Sequence, residues 1–264
     1  MEILVCVKQV PDDSVEIHLD PATMTPDISG AEPQSSAFDT YALELAVRYT
    51  EAHEGTVTVA SLGPDDNKTS LKNCLAVGAK KAFHISDEGI ENADPTVTAN
   101  AILAAIPKME EANGAKFDLI LVGRESTDYI DGEVGEILAE KLGLPFVTNA
   151  VEVNPVDAGI NVKKELDAGY YIMEAAAPAV LTVSKPDYDP RYPTIKSKLA
   201  ARKVEIPTIG AADLAMDNAA KQAKIEYLGF EEPVKKEAGV KIQEDEPADA
   251  VAKAMEVMLA DKVL

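Results

Sequence analysis

Short apolar runs alternate with amphipathic segments along the N-terminal part of the chain. The apolar runs have the length of buried strands and cover Ile3–Val7, Thr56–Leu62, Ala82–Ile85 and Leu119–Val122. Strands that alternate with helices are typical of a parallel sheet joined by right-handed crossovers. The pattern therefore predicts an α/β fold with an open, mostly parallel sheet and flanking helices.

Helices are predicted between these strands from apolar residues at helical spacing. A helix begins after Ser36, and the spacing of Ser36 and Asp39 predicts a capping box at its start. A second helix begins at Asp94-Pro95 and is expected to end near Pro107. A third is predicted over about 132–142.

The pattern changes after Gly143, where short strands follow one another closely and are separated by turn residues. They are predicted at Phe146–Val153, Asn161–Leu166, Tyr170–Glu174 and Ala179–Val183. Because closely spaced strands pair through tight turns, we expect antiparallel additions to the sheet.

The segment 204–264 is rich in charge, proline and glycine, and it has few apolar clusters before a short predicted helix at 248–259. Such a segment is either disordered or laid across another chain, and isolated apolar anchors favour the second alternative. We therefore predict an α/β domain over 1–203 and an extended C-terminal arm over 204–264. The anchors are Ile206, Ile209, Leu214, Ile225, Leu228 and Phe230.

The formal net charge of −21 disfavours nucleic acid and anionic membrane surfaces as partners. No segment approaches the ~20 apolar residues of a membrane span, and the N-terminus enters a strand without a signal-like region. The two cysteines, Cys6 and Cys74, each lie in an apolar stretch and are expected to be buried thiols. Together these features predict a cytoplasmic protein.

Candidate chemistry lies where strands pass into helices, because open parallel sheets bind ligands at the carboxyl ends of their strands. The loop after Leu119–Val122 contains Gly123, Arg124, the hydroxyls of Ser126 and Thr127, and further glycines before the next helix. Glycines and free helix N–H groups suit a diphosphate. A plain strand-to-helix turn is the alternative, since short motifs are unspecific.

Other kinds of site find little support in the sequence. A G-x-G-x-x-G motif does not follow the first strand, a Walker loop is missing, and the three histidines are scattered. Lys8, which follows the first strand, is expected to be solvated rather than to bind a ligand.

Several stretches, taken in order along the chain, resemble the β subunit of electron transfer flavoproteins. They include Val7-Lys8, Ser61-x-Gly63-Pro64, Ala76-Val77-Gly78-Ala79 and the Gly123–Gly135 loop. The run Val162–Gly169, followed by Pro178–Thr182, is similar to the family signature, and Ala168 departs from the usual glycine or acid. Pro190–Ile195 resembles the family's partner-recognition loop, here placed near 185–200.

The resemblance implies a heterodimer in which an α subunit carries FAD, the β chain binds a nucleotide of its own, and the C-terminal arm wraps the α subunit. It also implies that Glu165, Arg191, Tyr192 and Ile195 contact an acyl-CoA dehydrogenase, with Ile195 as the apolar anchor. The nucleotide-binding positions it implies are Cys6, Ser36, Ala37, Phe38, Asp39, Leu62, Gly123, Arg124, Glu125, Ser126, Thr127, Asp128, Asp131, Gly132, Glu133 and Val134.

The identity of that nucleotide divides the family. Some members keep AMP as a structural ligand, whereas electron-bifurcating members bind a second FAD that receives a hydride from NADH. The stretch Asp131–Gly135 and the later Pro145-x-Val147-Thr148 resemble the bifurcating group. This likeness implies electron delivery to ferredoxin or flavodoxin and, through the α-subunit FAD, to an acyl-CoA dehydrogenase. The alternatives are the AMP-binding role and an unrelated nucleotide-hydrolysing or stress-type domain.

Overall fold

The computed structural model describes residues 1–90, 93–157, 159–235 and 238–263. Its strands are β1 (Glu2–Cys6), β2 (Gln9–Pro11), β3 (His18–Leu19), β4 (Pro26–Asp27), β5 (Pro33–Ser35), β6 (Thr56–Gly63), β7 (Lys81–Ser86), β8 (Leu119–Gly123), β9 (Phe146–Val156), β10 (Gly159–Leu166), β11 (Gly169–Ala175), β12 (Ala179–Val183) and β13 (Thr208–Ile209). Its helices are α1 (Ala37–Ala52), α2 (Lys68–Val77), α3 (Pro95–Asn113), α4 (Val134–Leu142), α5 (Ile195–Ala201), α6 (Ala211–Leu214) and α7 (Pro247–Ala260).

Nine strands form one sheet in the order β11-β10-β9-β12-β8-β1-β6-β7-β13. The strands from β9 through β12, β8, β1, β6 and β7 to β13 pair in parallel. β10 and β11 extend one edge with antiparallel pairs. The predicted α/β fold with antiparallel additions is therefore confirmed.

Helices cover both faces of the sheet, which explains why its strands are continuously apolar. In β1, Ile3 and Val5 join a core with α1 and α2, whereas Leu4 joins a second core with α3 and α4. All three side chains are buried because successive residues of a strand point to opposite faces.

The end of one helix and the cap of another differ from the sequence prediction. α3 continues through Pro107 to Asn113 and ends at Gly114, whose φ is 72°. The residues beyond the proline remain helical because Met109 is fully buried in the core. The predicted capping box at α1 is wrong, since the Ser36 side chain makes no cap hydrogen bond and Asp39 is engaged elsewhere.

The division of the chain lies further along than the sequence predicts. One unit comprises Met1–Ile17 and Pro26–Leu228, and the other comprises His18–Thr25 and Gly229–Leu264. Three of the expected arm anchors, Ile206, Ile209 and Leu214, are instead buried in the cores of the first unit. A two-residue strand such as β13 completes a sheet edge without an apolar pattern that could be recognised in the sequence.

The second unit contains the C-terminal helix α7, which has no buried residue. Its apolar side chains Val251, Met255 and Met258 are 58%, 49% and 38% exposed. An amphipathic helix that leaves its apolar side chains in solvent lacks the packing that normally stabilises a helix.

Candidate functional site

The strand order reverses at β1, which places a ligand-binding crevice at one end of the sheet. From β1 the chain moves to β6 and β7 on one side, then returns to β8 on the other side of β1. Crevices in open α/β sheets form at this point, outside the carboxyl ends of the strands. Here those ends are Cys6 of β1 and Gly123 of β8.

A cavity of about 370 Å³ opens at this point. Its lining comes from the ends of β1, β6 and β8, from the β8–α4 loop, from the segment between β7 and α3, and from the N-terminal parts of α1, α3 and α4. One residue of the later chain, Tyr227, also lines it. The predicted positions that line it are Cys6, Asp39, Leu62, Gly123, Arg124, Glu125, Ser126, Asp131, Gly132, Glu133 and Val134.

Asp39, in the first turn of α1, joins the two strand ends. Its carboxylate accepts the backbone N–H of Lys8 at 2.7 Å and that of Gly123 at 2.9 Å. A Cβ atom on Gly123 would lie 2.5 Å from the carboxylate oxygen Oδ1. Glycine is thus required at 123 so that β8 can end directly against Asp39, rather than because its own φ is unusual.

Burial raises the pKa of two groups that line the cavity. Desolvation raises the pKa of Asp39 to about 7, although the hydrogen bonds from Lys8 and Gly123 act in the opposite direction. Desolvation, with a smaller contribution from the Asp39 charge, raises the pKa of Cys6 to about 12. Cys6 is therefore a neutral thiol at physiological pH and is a poor nucleophile.

The loop between β8 and α4 is fixed by contacts with the start of α1. The backbone N–H of Thr127 donates to the hydroxyl of Ser36 at 3.2 Å, and the N–H of Ile130 donates to the carbonyl of Ser126 at 3.1 Å. Gly132, with a φ of 70°, turns the chain into α4. The loop therefore has a defined shape that presents its backbone to the cavity.

Gly135 has a different role from the one predicted for it. A Cβ at this position would lie 2.6 Å from methyl groups of Val122 and Thr182, so the glycine allows α4 to pack closely on the sheet. It does not line the cavity. The glycine pattern of this loop thus reflects helix–sheet packing as well as the cavity wall.

Two cationic side chains lie at the cavity. Lys8 is exposed, as expected, and it also forms an ion pair with Asp128 at 2.8 Å. The guanidinium of Arg124 lies 4.7 Å from the centre of the Phe38 ring and pairs with Glu125 at 2.8 Å. Its Nε is buried and has no hydrogen-bond partner among the described residues.

Local backbone groups favour an anion more than the side chains do. The cavity is lined by the carboxylates of Asp39, Asp87, Glu125, Asp131 and Glu133 but by only two cations. At the start of α3, Pro95 has no N–H and Asp94 already accepts the N–H of Val97. The N-terminal end of α4, however, faces the cavity with free N–H groups and the positive end of its helix dipole. A phosphate group would be held mainly by these N–H groups, with Arg124 and Lys8 in support.

The remaining predicted nucleotide-binding positions are not among the residues that line the cavity. Ser36 and Thr127 bond to each other, Phe38 lies against Arg124, and Asp128 holds Lys8. Ala37 is exposed at the start of α1. These residues shape the wall, whereas Ala37 makes no contact that relates it to the cavity.

Sequence reasoning missed part of the site. Tyr129, Pro95 and Thr98 line the cavity but were not among the predicted site residues. They could have been found, because Tyr129 lies in the predicted loop and the other two begin a predicted helix at the same edge of the parallel sheet. Tyr227 gave no local signal, because it lies in a segment without regular structure far along the chain.

The residues expected to contact a dehydrogenase differ in their surroundings. Tyr192 and Ile195 are 91% and 82% exposed, as a docking surface requires. The Arg191 guanidinium instead binds Glu44 and Glu51 of this chain, through contacts of 2.6–3.1 Å. Glu165 accepts a hydrogen bond from the hydroxyl of Ser184 at 2.6 Å.

The described part of the chain has neither a metal-binding cluster nor a membrane-spanning helix. Among those residues there is no group of three or more His, Cys, Asp or Glu side chains with an arrangement that could hold a metal ion. Likewise, none of the helices there combines the length and apolarity needed to cross a membrane.

The doubly wound sheet, the crevice at its reversal point and the helix that begins there are typical of nucleotide-binding α/β proteins. Residues 28–214 match the electron transfer flavoprotein domain. The chain is 34% identical over 273 residues to the electron transfer flavoprotein subunit beta of Megasphaera elsdenii, and the match covers 100% of both chains. The chain belongs to the electron transfer flavoprotein family, in the branch of its β subunits.

Other relatives match most of the chain. It is 37% identical over 218 residues to electron transfer flavoprotein subunit beta of Thermoanaerobacterium thermosaccharolyticum, covering 82% of this chain and 81% of the relative. It is also 33% identical over 217 residues to the caffeyl-CoA reductase-Etf complex subunit CarD of Acetobacterium woodii, covering 82% and 80%. Electron transfer flavoprotein β subunits pair with an α subunit, which gives this chain an expected partner.

Proposed function

We propose that this chain binds FAD in the cavity between β1 and β8 and serves as the NADH-oxidising subunit of an electron-bifurcating flavoprotein. One electron would pass to ferredoxin or flavodoxin, and the other through the FAD of the α subunit to an acyl-CoA dehydrogenase. The observation that carries the proposal is the cavity itself, which is lined by the start of α4 and by Arg124, whose buried Nε has no hydrogen-bond partner among the described residues.

The residues present fit a dinucleotide. An unpartnered buried donor such as the Arg124 Nε is costly, and a phosphate oxygen would satisfy it. Gly132 brings the loop backbone to the cavity wall, and Val134 begins the helix whose N–H groups remain free. When bound, a flavin accepts a hydride and releases electrons one at a time, and the protein supplies position and local charge.

The choice of FAD and NADH is supported by the resemblance of Asp131–Gly135 to the bifurcating group. The alternative is AMP as a structural ligand, with electron transfer confined to the α-subunit flavin. AMP would use the same phosphate donors, so the wall formed by Arg124 and α4 supports both ligands equally.

The proposed partners use surfaces outside the cavity. Exposed Tyr192 and Ile195 would dock the acyl-CoA dehydrogenase, and the apolar side chains of α7 would pack on the α subunit. The name of the CarD relative, a subunit of a caffeyl-CoA reductase complex, supports an enzyme of CoA esters as the electron acceptor. We place the complex in the cytoplasm.

The decisive experiment is to co-express the chain with its α subunit, purify the pair, and measure its nucleotides after denaturation. An anaerobic titration with NADH is then followed by flavin absorbance. Two FAD per pair together with bleaching by NADH are expected. One FAD with one AMP, and no reaction with NADH, would replace this proposal by the AMP-binding role.

A further inference from the structure

A segment near the end of the first unit forms one side of the mouth of the cavity. Residues 217–228 are held against α3 by Asp94, whose carboxylate accepts the N–H of Lys224 and, at 3.1 Å, that of Ile225. The side-chain amide of Asn100 donates to the carbonyl of Ala220 at 2.8 Å. Because Asp94 is buried and also caps α3 through Val97, this attachment is part of the fold.

This attachment places Tyr227 opposite Tyr129 of the β8–α4 loop. The two rings are 5.1 Å apart at an interplanar angle of 55°, and both line the cavity. The amino group of Lys8 lies 4.6 Å from the centre of the Tyr129 ring. Each tyrosine is nevertheless 44–45% exposed, so much of each ring remains uncovered.

We propose that Tyr227 and Tyr129 form an aromatic wall that stacks a flat heteroaromatic ring of the bound nucleotide. This inference rests on the proposed nucleotide site and extends it to a part of the chain that the sequence did not implicate. Rings of adenine and of isoalloxazine share the chemistry required, an extended π face that packs on tyrosine. A ligand whose phosphates lie at Arg124 and the start of α4 would have its ring end free to reach another part of the same cavity lining, which includes both tyrosines.

Stacking on an aromatic side chain contributes enough affinity to be measured, commonly about tenfold or more per ring. The tyrosine pair could instead serve only to keep the 217–228 segment in place. Ligand stacking and this structural role predict different effects of substitutions. Tyr227→Phe keeps the ring in either case. Tyr227→Leu keeps apolar bulk but removes the ring, and Asn100→Ala loosens the segment without touching the cavity lining.

The test uses the heterodimer from which the nucleotide in the cavity between β1 and β8 has been removed. AMP binding is measured by calorimetry, and FAD binding by the quenching of flavin fluorescence, for wild type, Tyr227→Phe, Tyr227→Leu, Tyr129→Leu and Asn100→Ala. We expect roughly tenfold weaker binding for both leucine variants and near-wild-type binding for Tyr227→Phe. If the leucine variants bind both AMP and FAD more weakly, the tyrosines stack on the adenine. If they bind only FAD more weakly, the tyrosines stack on the isoalloxazine.

The inference is overturned if Tyr227→Leu and Tyr129→Leu bind AMP and FAD as tightly as wild type. It is also overturned if Tyr227→Phe weakens binding as much as Tyr227→Leu does, because the effect would then come from the hydroxyl rather than from the ring. A wild-type pair that binds AMP but not FAD contradicts the proposed bifurcating function. In that event the wall is still tested by AMP alone.

Discussion

The carboxylate of Asp39 accepts the backbone N–H of Gly123 at 2.9 Å, which ties the start of α1 to the end of β8. The same carboxylate holds the N–H of Lys8 at the end of β1. One buried side chain thus fixes the two strand ends that border the cavity. The shape of the cavity at these strand ends therefore depends on this link.

Replacement of Gly123 by alanine should break this link. The new Cβ would meet both Asp39 and the backbone of Phe38, at 2.5–2.9 Å, and relief requires α1 to move. We expect the free energy of unfolding to fall by about 2 kcal/mol, as overpacking commonly causes. We also expect the nucleotide in the cavity between β1 and β8 to be lost. Chemical denaturation and nucleotide content check this, with Gly30→Ala as the control because a Cβ there has open space.

Asp39 should make stability depend on pH in an unusual direction. Its pKa is raised to about 7 in the folded chain, above the value near 4 of an unfolded aspartate. The folded state therefore holds the proton more tightly, and the stability this gives is complete below pH 4 and is lost as the pH rises through 7. Between pH 5 and 6.5 the loss approaches roughly 1 kcal/mol per pH unit.

This contribution is isolated by comparing wild type with Asp39→Asn in urea at several pH values. The stability of the variant relative to wild type should improve as the pH rises from 5 to 7 and should then level off. A difference that stays constant over this range would show that Asp39 is ionised throughout.

Arg124→Ala should weaken nucleotide binding without unfolding the protein. The change removes a cation and the buried Nε donor, and a hydrogen bond to a charged group is worth about 1.5–3 kcal/mol, or roughly tenfold or more in affinity. Nucleotide dissociation from the heterodimer is the measurement, with Arg202→Ala as a control of equal charge at an exposed position. Equal dissociation constants for the two variants would remove Arg124 from the site.

Arg191→Ala should lower the stability of this chain, because Arg191 holds the recognition loop through its ion pairs with Glu44 and Glu51. The Glu44 side chain, which is only 3% exposed, would keep Arg48 as its remaining cationic partner among the described residues. The loss should be about 2 kcal/mol, below that of a fully buried pair, because Arg191 is one-third exposed. Thermal unfolding checks this, and an unchanged midpoint would show that the ion pairs contribute nothing.

Ile195→Ser, unlike Arg191→Ala, should impair electron transfer and leave stability nearly unchanged. Its side chain is 82% exposed, so stability should hardly change, whereas electron transfer to the acyl-CoA dehydrogenase should fall by roughly tenfold if it fills a partner pocket. The matched control is Ile28→Ser, at another exposed isoleucine. If both variants transfer electrons at the wild-type rate, Ile195 is not the docking residue.

The parallel sheet was predictable because its central strands are apolar without interruption. Composition alone predicts buried strands at Ile3–Val7 and Leu119–Val122. The alternation of strands and helices along the chain then implies the crossover connections. β13 could not be predicted, because Thr208 and Ile209 make a strand only through pairing with β7. The same tertiary contact explains why Ile206 and Leu214 are core residues rather than partner contacts.

The site was predictable where it follows from strand ends and was missed where distant segments meet. Gly123 and Arg124 follow directly from the end of β8, as the parallel sheet requires. Asp39 was placed at the site by family resemblance, but its link to Lys8 and Gly123 depends on three-dimensional packing. Tyr227 reaches the cavity only because Asp94 and Asn100 hold its segment, a long-range relationship that leaves no local pattern.

The most direct test of the central claim is the nucleotide released from the denatured heterodimer, quantified for wild type and for Gly123→Ala. We predict one adenine nucleotide per pair beyond the α-subunit FAD in wild type, and its loss in the variant. If wild type releases nothing beyond that single FAD, or if the variant retains the second nucleotide in full, the crevice between β1 and β8 does not hold the ligand.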